Sequence, residues 1–289
     1  MKIPSKQLKN GFAMPIYGLG TWQMGGRFSH NPLNNDVKDI KAIRTAIELG
    51  VTHFDTAEVY ANGYAETLLG KAIKNYDRSK LFIVSKASPD HFKHNHLIKS
   101  CKASLGRLGI HYLDLYLLHQ YSPGIPLKET IKTLDELVAQ KFIKNIGVSN
   151  FTKEHLAEAQ SYTKNKIVCN QVHYSLEFRE PEVTGLLDYC QANDVLLTAW
   201  RPVGKGKLLK RIPKILRDIC VKYEKTPAQV AINWLTSQAK VITLSKTSTI
   251  DHLKENLGAI GWQMQAKDIE KLRQKYPKQK TVSDTVPLG

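Results

Sequence analysis

The sequence predicts an α/β protein built as a closed (β/α)8 barrel, the TIM-barrel architecture. Three observations support this: eight short β-rich runs, a helix-like pattern after each, and polar side chains at the ends of several runs. Runs too short for a typical helix, each followed by a loop and a helix, are typical of β/α units. Eight such units imply a parallel sheet with right-handed crossovers that closes on itself, and an open doubly wound sheet is the structural alternative. The runs lie near 17–20, 53–55, 81–86, 113–118, 145–149, 168–172, 195–200 and 241–245.

Two further elements are predicted outside the eight units. Asn10-Gly11 lies between apolar flanks, a strong signal for a β-hairpin with a two-residue turn, which would cap the barrel ahead of its first strand. A helical pattern near 267–275 predicts an accessory C-terminal helix, and residues 279–289 are expected to be irregular. No Pro/Gly/Ser-rich linker divides the chain, so we expect one domain over residues 1–289.

The helices between the runs are indicated by apolar residues at a period of 3.6. Ile40, Ile43 and Ile47 form one such stripe, which Gly50 should end, and Thr226-Pro227 should open another as N-cap and first helical residue. The helix that Thr226-Pro227 opens should have Val230, Ala231 and Trp234 inward. The other stripes are Leu97, Cys101, Leu105 and Leu108 before Gly109; Ile131, Leu134, Leu137 and Val138; and Val183, Leu186, Leu187 and Cys190.

Composition narrows the class of protein. The 289 residues include 42 Lys plus Arg against 26 Asp plus Glu, a formal charge of +16, which favours anionic partners such as nucleic acid or a phosphate-bearing nucleotide. The basic residues are dispersed and no nucleic-acid-binding motif is evident, so we expect no nucleic-acid partner. The N-terminus has no signal-peptide pattern and no apolar stretch reaches transmembrane length, so we expect a cytoplasmic protein. We also expect a monomer or a weak homo-oligomer. Four cysteines without metal-ligand spacing predict reduced thiols and no metal.

Four polar residues follow successive strands and form the candidate catalytic set. Asp55 and Tyr60 end one run and the loop after it, Lys86 ends the next, and His119 ends the third. Parallel barrels place their chemistry at the mouth formed by these strand ends. The set suits a tyrosine acid whose pKa is lowered by a lysine, which in turn pairs with an aspartate. Each residue alone has a structural alternative: a packed tyrosine, a core histidine or a structural ion pair.

Taken together, the motifs resemble the aldo-keto reductase superfamily, particularly its short-looped prokaryotic members. The resemblance covers nearly the whole chain, and each motif alone is weak, whereas all of them in order are specific. They are Gly18-Leu19-Gly20-Thr21-Trp22, Asp55-Thr56-Ala57 with Tyr60, Ser85-Lys86, Leu118-His119, Gly147-Val148-Ser149-Asn150-Phe151, Asn170-Gln171-Val172 and the segment from Lys246 to Asn256.

The resemblance implies reduction of a carbonyl with a nicotinamide cofactor. Hydride delivery to the carbonyl carbon leaves negative charge on the oxygen, which needs a proton donor. Tyr60 would be that general acid, with Lys86 and Asp55 lowering its pKa and His119 orienting the carbonyl or helping the proton reach it. A cofactor-binding sensor barrel without turnover, or a physiological alcohol or polyol dehydrogenase, is the alternative.

The resemblance also implies a nicotinamide site. Ser149, Asn150 and Gln171 would hold the carboxamide, although helix capping is the structural alternative for the first two. Trp200 stands where the family commonly has a tyrosine stacked on the nicotinamide, and Arg201 stands where many members have serine. The remaining residues of this expected surface are Gly20, Thr21, Trp22, Asp55, Pro202 and Gly204, the last in a basic loop over residues 203–211 that either covers the pyrophosphate or is a flexible surface loop.

The segment after the eighth strand is the expected phosphate and adenine site. Lys246, Thr247 and Ser248 precede a helix, where a cation and hydroxyls favour an anion. His252 occupies the position of an arginine in NADPH-using relatives, and histidine is only partly charged at neutral pH. Glu255 and Asn256 match the adenine-contacting pair. We therefore expect NADPH as the preferred cofactor with NADH possible; a Ser248–Asp251 capping box is the structural alternative.

The substrate-binding residues are expected to be Trp22, Tyr60, His119 and Trp200. Val59 and Phe92 are further candidates for the pocket wall. The residues after Lys86 lack the tryptophan that many relatives have there, and the loops around the mouth are short. We therefore expect an open pocket that accepts small aldehydes, ketones, dicarbonyls or sugars.

Overall fold

A computed structural model gives the structure of residues 1–288, apart from the side chains of residues 205, 207 and 209. Eight parallel strands form a closed barrel in the order β10-β3-β4-β5-β6-β7-β8-β9, which confirms the predicted architecture. The barrel strands are β3 (Tyr17–Gly20), β4 (His53–Asp55), β5 (Phe82–Ala87), β6 (Leu115–Leu118), β7 (Ile146–Ser149), β8 (Ile167–His173), β9 (Leu196–Trp200) and β10 (Val241–Ser245).

The N-terminal hairpin caps the barrel, as predicted, but its turn is longer than expected. Strands β1 (Ser5–Gln7) and β2 (Ala13–Pro15) pair antiparallel. The Leu8 amide donates to the Phe12 carbonyl at 2.8 Å, so three residues form the loop, and Gly11 closes it with φ 87°. Leu8, Phe12 and Met14 pack with inward side chains of the barrel strands and so close one end of the barrel.

Helices surround the strands, and every predicted apolar stripe lies on one helix or, in one case, on two. Their bounds are α1 (Asp36–Glu48), α2 (Tyr64–Ile73), α3 (His94–Leu108), α4 (Leu127–Ala139), α5 (Lys153–Ser161), α6 (Glu180–Val183), α7 (Leu186–Ala192), α8 (Lys207–Lys210), α9 (Lys214–Tyr223), α10 (Pro227–Thr236), α11 (Ile250–Leu257) and α12 (Ala266–Lys275). The helix predicted over Val183 to Cys190 is in fact two helices, because Gly185 adopts φ 72° and interrupts the ladder of hydrogen bonds.

Side-chain capping marks the start of α10 but not that of α11. At α10 the Thr226 hydroxyl accepts from the Gln229 amide, and the Gln229 side chain accepts from the Thr226 amide, a complete capping box. At α11 the N-cap is Thr249, without a side-chain cap bond, so the capping box considered from Ser248 does not form. The first-turn amides of α11 therefore have no side-chain cap from Thr249.

Candidate active site

The centre of the site is the ammonium group of Lys86, which is fully buried on β5. It donates three hydrogen bonds: to the Asp55 carboxylate at 2.5 Å, to the Thr56 carbonyl at 2.8 Å and to the Tyr60 hydroxyl at 3.3 Å. The register of the sheet explains this meeting, since Asp55 at the end of β4 pairs with Val84, two residues before Lys86 on the same face. Lys86 is thus in direct contact with both Asp55 and Tyr60.

Asp55 is fixed from several sides. The carboxylate oxygen that does not face Lys86 accepts from the Gln171 side-chain amide at 2.8 Å. The Asp55 carbonyl accepts from both the amide and the hydroxyl of Thr21, at 2.9 and 3.2 Å. Gly20 precedes Thr21 at the buried end of β3, where an added Cβ would lie 3.2 Å from a Leu244 methyl group. The carboxylate is therefore held rigidly across the barrel between β3, β5 and β8.

Tyr60 lies in the short turn that follows β4, with its ring among other rings. Ala61 and Asn62 after it adopt φ values of 51° and 53°, and the Ala61 amide donates to the Arg27 carbonyl at 2.7 Å. The Tyr60 ring meets Trp22 edge-on at 5.0 Å between centroids and His119 at 5.7 Å. The four candidate catalytic residues are thus contiguous at the barrel mouth.

The charges of this cluster differ in one respect from the prediction. Burial raises the pKa of Tyr60 above its usual value, and the neighbouring Lys86 offsets only part of this rise, while Asp55 adds to it. The expected net lowering is therefore not what the structure gives. For Lys86, burial alone would lower the pKa, but Asp55 and Tyr60 outweigh it and raise the pKa. Burial, together with the charge of Lys86, lowers the pKa of His119 to about 3, so this imidazole is neutral at physiological pH.

A connected polar group lies beside the tetrad of Asp55, Tyr60, Lys86 and His119. It consists of Ser149, Asn150 and Gln171. The Ser149 hydroxyl donates to the Gln171 carbonyl at 2.8 Å, and the Asn150 side-chain amide donates to the His119 carbonyl at 3.0 Å. The Asn150 side-chain oxygen is buried without a hydrogen-bond partner. A buried acceptor left open is costly unless a ligand donor meets it, so this group fits the carboxamide of a nicotinamide.

Trp200 is the last residue of β9, and Arg201 follows it. Trp200 packs against β8, whereas Arg201 contacts the C-terminal segment. Trp200 stacks on His173 at 4.3 Å with nearly parallel planes. The Arg201 guanidinium lies 5.0 Å from the centroid of the Trp200 ring, bonds to the Thr285 hydroxyl and pairs with Asp284 at 3.4 Å. Arg201 therefore ties the chain terminus to the rim of the mouth, a contact that the sequence pattern did not indicate.

The loop after Arg201 begins with the buried Pro202 and continues through Gly204, which adopts φ 54°. The side chains of Lys205 and Lys207, which were expected to offset phosphate charge, lie outside the described residues. A direct role of this loop in covering the pyrophosphate stays a prediction.

The expected phosphate segment lies between β10 and α11. The Lys246 amine is 3.4 Å from the Ser248 hydroxyl, Thr247 is buried, and His252 is exposed on the first turn of α11. The Lys246 amine, the Ser248 hydroxyl and the His252 imidazole thus border first-turn amides without a side-chain cap, which fits a phosphate.

The expected adenine-contacting pair is divided between exposed and buried positions. Glu255 is half-buried. Asn256, in contrast, is buried, and its amide donates to the Ser245 hydroxyl at 3.1 Å. Ser245 in turn bonds to the Tyr17 hydroxyl inside the barrel. Asn256 therefore already has an intramolecular partner that ties α11 to the barrel wall.

On the substrate side, two predicted wall residues have different fates. Trp22 is half-buried against Tyr60, in the expected place. Phe92 is 3% exposed and packs in the core beside α4, so it does not line the pocket. A residue that the prediction missed, Phe28, lies edge-on to Trp22 at 5.1 Å. Its only signal in the sequence is an aromatic residue within a polar loop.

Residues 1–288 show neither a candidate metal cluster nor a candidate membrane span. Within that range no group of three His, Cys, Asp or Glu side chains could hold a metal ion. None of the helices described over the same range is long and apolar enough to cross a membrane. Three of the four cysteines, Cys101, Cys169 and Cys190, are buried in packed positions, and Cys220 is half-buried; their reduced state stays a prediction.

Comparison with known proteins identifies relatives of this barrel and its site. The family model described as "Aldo/keto reductase family" matches residues 17–277. A methylglyoxal reductase of Escherichia coli K12 is 35% identical over 286 residues, 97% of this chain and 98% of that protein. A glyoxal reductase of Bacillus subtilis is 32% identical, covering 92% and 90% of the two chains.

Solved structures agree with the sequence relatives. An aldo-keto reductase from Klebsiella pneumoniae, determined in complex with NADPH, superposes with a TM-score of 0.86 at 31% identity and covers 98% of each chain. The predicted fold and the predicted oxidoreductase class are confirmed by these matches. This chain belongs to the aldo/keto reductase family.

Proposed function

We propose that this protein is an NADPH-dependent reductase of small aldehydes and dicarbonyls, in which Tyr60 is the proton donor. The observation that carries the proposal is the buried Lys86 ammonium, which bonds at once to Asp55 and to the Tyr60 hydroxyl. The names of the two bacterial relatives, a methylglyoxal reductase and a glyoxal reductase, support the substrate class. The NADPH complex of the Klebsiella protein supports the cofactor.

Each residue of the tetrad has a distinct task in this scheme. NADPH, when bound, would supply the hydride that the carbonyl carbon accepts. The Tyr60 hydroxyl gives its proton to the carbonyl oxygen as that oxygen gains negative charge, which yields the alcohol and leaves a phenolate. Lys86 stabilises that phenolate at 3.3 Å, and Asp55 keeps Lys86 charged. His119, whose neutral ring meets the Tyr60 ring edge-on, orients the carbonyl oxygen rather than acting as an acid.

The raised pKa of Tyr60 suits a proton donor rather than a base. At neutral pH the phenol is protonated, so the acid needed for reduction is present in essentially every molecule. Lys86 stabilises the negative charge that develops on the Tyr60 oxygen as the proton moves. Because this interaction is stronger in the transition state than before the reaction, it accelerates the step. Burial therefore keeps the proton on Tyr60 before the reaction, and the Lys86 ammonium stabilises the phenolate that forms.

The cofactor-side residues support NADPH with NADH possible. The open Asn150 side-chain oxygen would accept a hydrogen bond from the nicotinamide carboxamide, beside Ser149 and Gln171. Lys246 and Ser248 before α11 would hold the 2′-phosphate. His252 provides less charge there than an arginine would. A cytoplasmic location and a monomeric or weakly associating state stay predictions of the sequence.

The Tyr60→Phe variant tests the proposal. Removing the proton donor should lower kcat for methylglyoxal about 10²- to 10⁴-fold, the usual contribution of a general acid, while the NADPH Kd from fluorescence titration stays that of the wild type. Tyr162→Phe is the matched control, since its hydroxyl bonds to Glu158 on the exposed surface of α5. Turnover by Tyr60→Phe above a tenth of wild type would contradict the role of Tyr60. Wild-type protein that binds NADPH but reduces no aldehyde would favour the sensor alternative.

A further inference from the structure

We propose that Phe28 is a specificity-determining residue, which contacts the distal group of carbonyl substrates and selects those that carry an aromatic ring. This inference rests on the proposed function, because it concerns the substrate class of the same mouth. The observation behind it is a series of rings that leads outward from the proton donor. Tyr60 meets Trp22 at 5.0 Å, and Trp22 meets Phe28 at 5.1 Å, both edge-on.

Phe28 differs from the other two rings in its exposure. It is 72% exposed, whereas Tyr60 and Trp22 are half-buried. An aromatic ring that is open on most of its surface gains from contact with a second ring, both through apolar area and through the geometry of ring pairs. The open part of Phe28 is therefore a surface for a substrate group that extends from the carbonyl past Trp22.

The loop that holds Phe28 is held by several contacts within the protein. Gly26 and His30 form an antiparallel bridge across the tip, and the Gly26 φ of 133° leaves no space for a Cβ, which would lie 2.2 Å from the Ser29 carbonyl. The His30 ring packs on Tyr64 at 3.8 Å between centroids. These contacts set the position of Phe28 relative to the barrel rim.

The same loop is also tied to the segment of Tyr60 and to α1. The Arg27 carbonyl accepts from the Ala61 amide at 2.7 Å, next to Tyr60 in sequence. The Gly25 amide donates to the buried Asp39 carboxylate at 3.2 Å. Because the loop is preorganised, a substrate ring that contacts Phe28 pays little additional ordering entropy. Phe28 is two ring contacts away from Tyr60, so a larger distal group is better placed than a methyl group to contact it.

Phenylglyoxal and methylglyoxal form a matched pair for the test, because they share the reacting dicarbonyl and differ only in the distal group. We expect Phe28→Ala to lower the ratio of kcat/KM for phenylglyoxal over methylglyoxal about tenfold, mostly through the KM of phenylglyoxal. Phe28→Tyr keeps the ring and should stay within about twofold of the wild-type ratio. Leu33→Ala removes another exposed apolar side chain, 93% exposed in the same loop, and should leave both substrates unchanged.

The outcomes separate this inference from the proposed function. If Phe28→Ala lowers kcat/KM for both dicarbonyls equally, Phe28 acts by supporting Trp22 and Tyr60, and the specificity role is wrong. A Phe28→Ala protein with wild-type kcat/KM for both dicarbonyls would overturn the specificity role as well. If the wild-type protein reduces neither dicarbonyl with NADPH, the proposed function fails together with it. A selective loss for phenylglyoxal, with the NADPH Kd of Phe28→Ala equal to that of wild type, supports the inference.

Discussion

The buried ion pair between Lys86 and Asp55 makes the sharpest prediction about stability. Lys86 is 0% exposed and Asp55 2% exposed, and their atoms are 2.5 Å apart. Lys86→Met leaves the Asp55 carboxylate in the barrel with the Gln171 amide as its remaining side-chain donor. Taking one partner from a buried pair leaves an uncompensated charge, which costs far more than the net contribution of the intact pair.

The expected loss is about 3–5 kcal/mol in the free energy of unfolding, the usual range for a broken buried pair. For a chain of this size that corresponds to a fall in Tm of about 6–10 °C. Urea unfolding followed by circular dichroism at pH 8 gives the free energy, and calorimetry gives the Tm.

The double variant Asp55→Asn/Lys86→Met is the control, since it removes both charges and keeps a polar group opposite Gln171. We expect it to be more stable than Lys86→Met alone, with a cost of about 1 kcal/mol relative to wild type. Both variants should be inactive, so stability and turnover are separated. A Lys86→Met protein within about 1 kcal/mol of wild type, or costs that simply add in the double variant, would refute the view that the pair is dry and tightly coupled.

Three further predictions follow from the packing and the charges. Burial lowers the pKa of His53 to about 4, so between about pH 6.5 and 4 the unfolded chain binds a proton that the folded chain does not. The free energy of unfolding should therefore fall by about 3 kcal/mol as the pH drops through that window. His53→Gln should flatten the dependence of the urea midpoint on pH, and parallel curves for the variant and the wild type would contradict this. Gly18→Ala would place a Cβ 2.4 Å from the same imidazole and should lower stability by about 1–3 kcal/mol in thermal unfolding, while Gly106→Ala, with nothing within 4 Å, should be neutral or stabilising. His252→Arg at the first turn of α11 should tighten the NADPH Kd several-fold and leave the NADH Kd unchanged, and equal changes for the two cofactors would argue against a 2′-phosphate contact.

Most of the barrel and the location of its site could be predicted because both depend on local patterns. Short apolar runs alternate with helical stripes, and the closed parallel topology brings the ends of β4, β5 and β6 to one mouth. Asp55, Lys86 and His119 are therefore neighbours by position alone, whatever their side chains do. The turn of Asn10-Gly11 was predicted correctly in kind but not in length, because Gly11 with φ 87° serves a three-residue loop as readily as a two-residue one.

Features that depend on distant contacts could not be predicted. Arg201 bonds to Thr285 and Asp284, more than eighty residues later in the chain, and no spacing rule relates them. The buried Glu180 carboxylate fixes the same C-terminal segment by accepting from the amides of Ser283 and Leu288, both at 3.0 Å. Such contacts are decided by how the chain terminus crosses the barrel rim, which local propensity does not specify.

The pKa of Tyr60 shows the same limit and gives the last prediction. From sequence, a lysine near a tyrosine lowers its pKa; in the folded barrel, burial acts first and raises it, and Asp55 opposes Lys86. Tyr60 should therefore stay protonated to above pH 10. Absorbance at 295 nm reports tyrosinate, so titrations of wild type and Tyr60→Phe should coincide below pH 10 and diverge above it. One additional tyrosinate in wild type near pH 8 to 9 would mean that the ammonium outweighs burial, and that the phenol loses its proton within the range where the enzyme works.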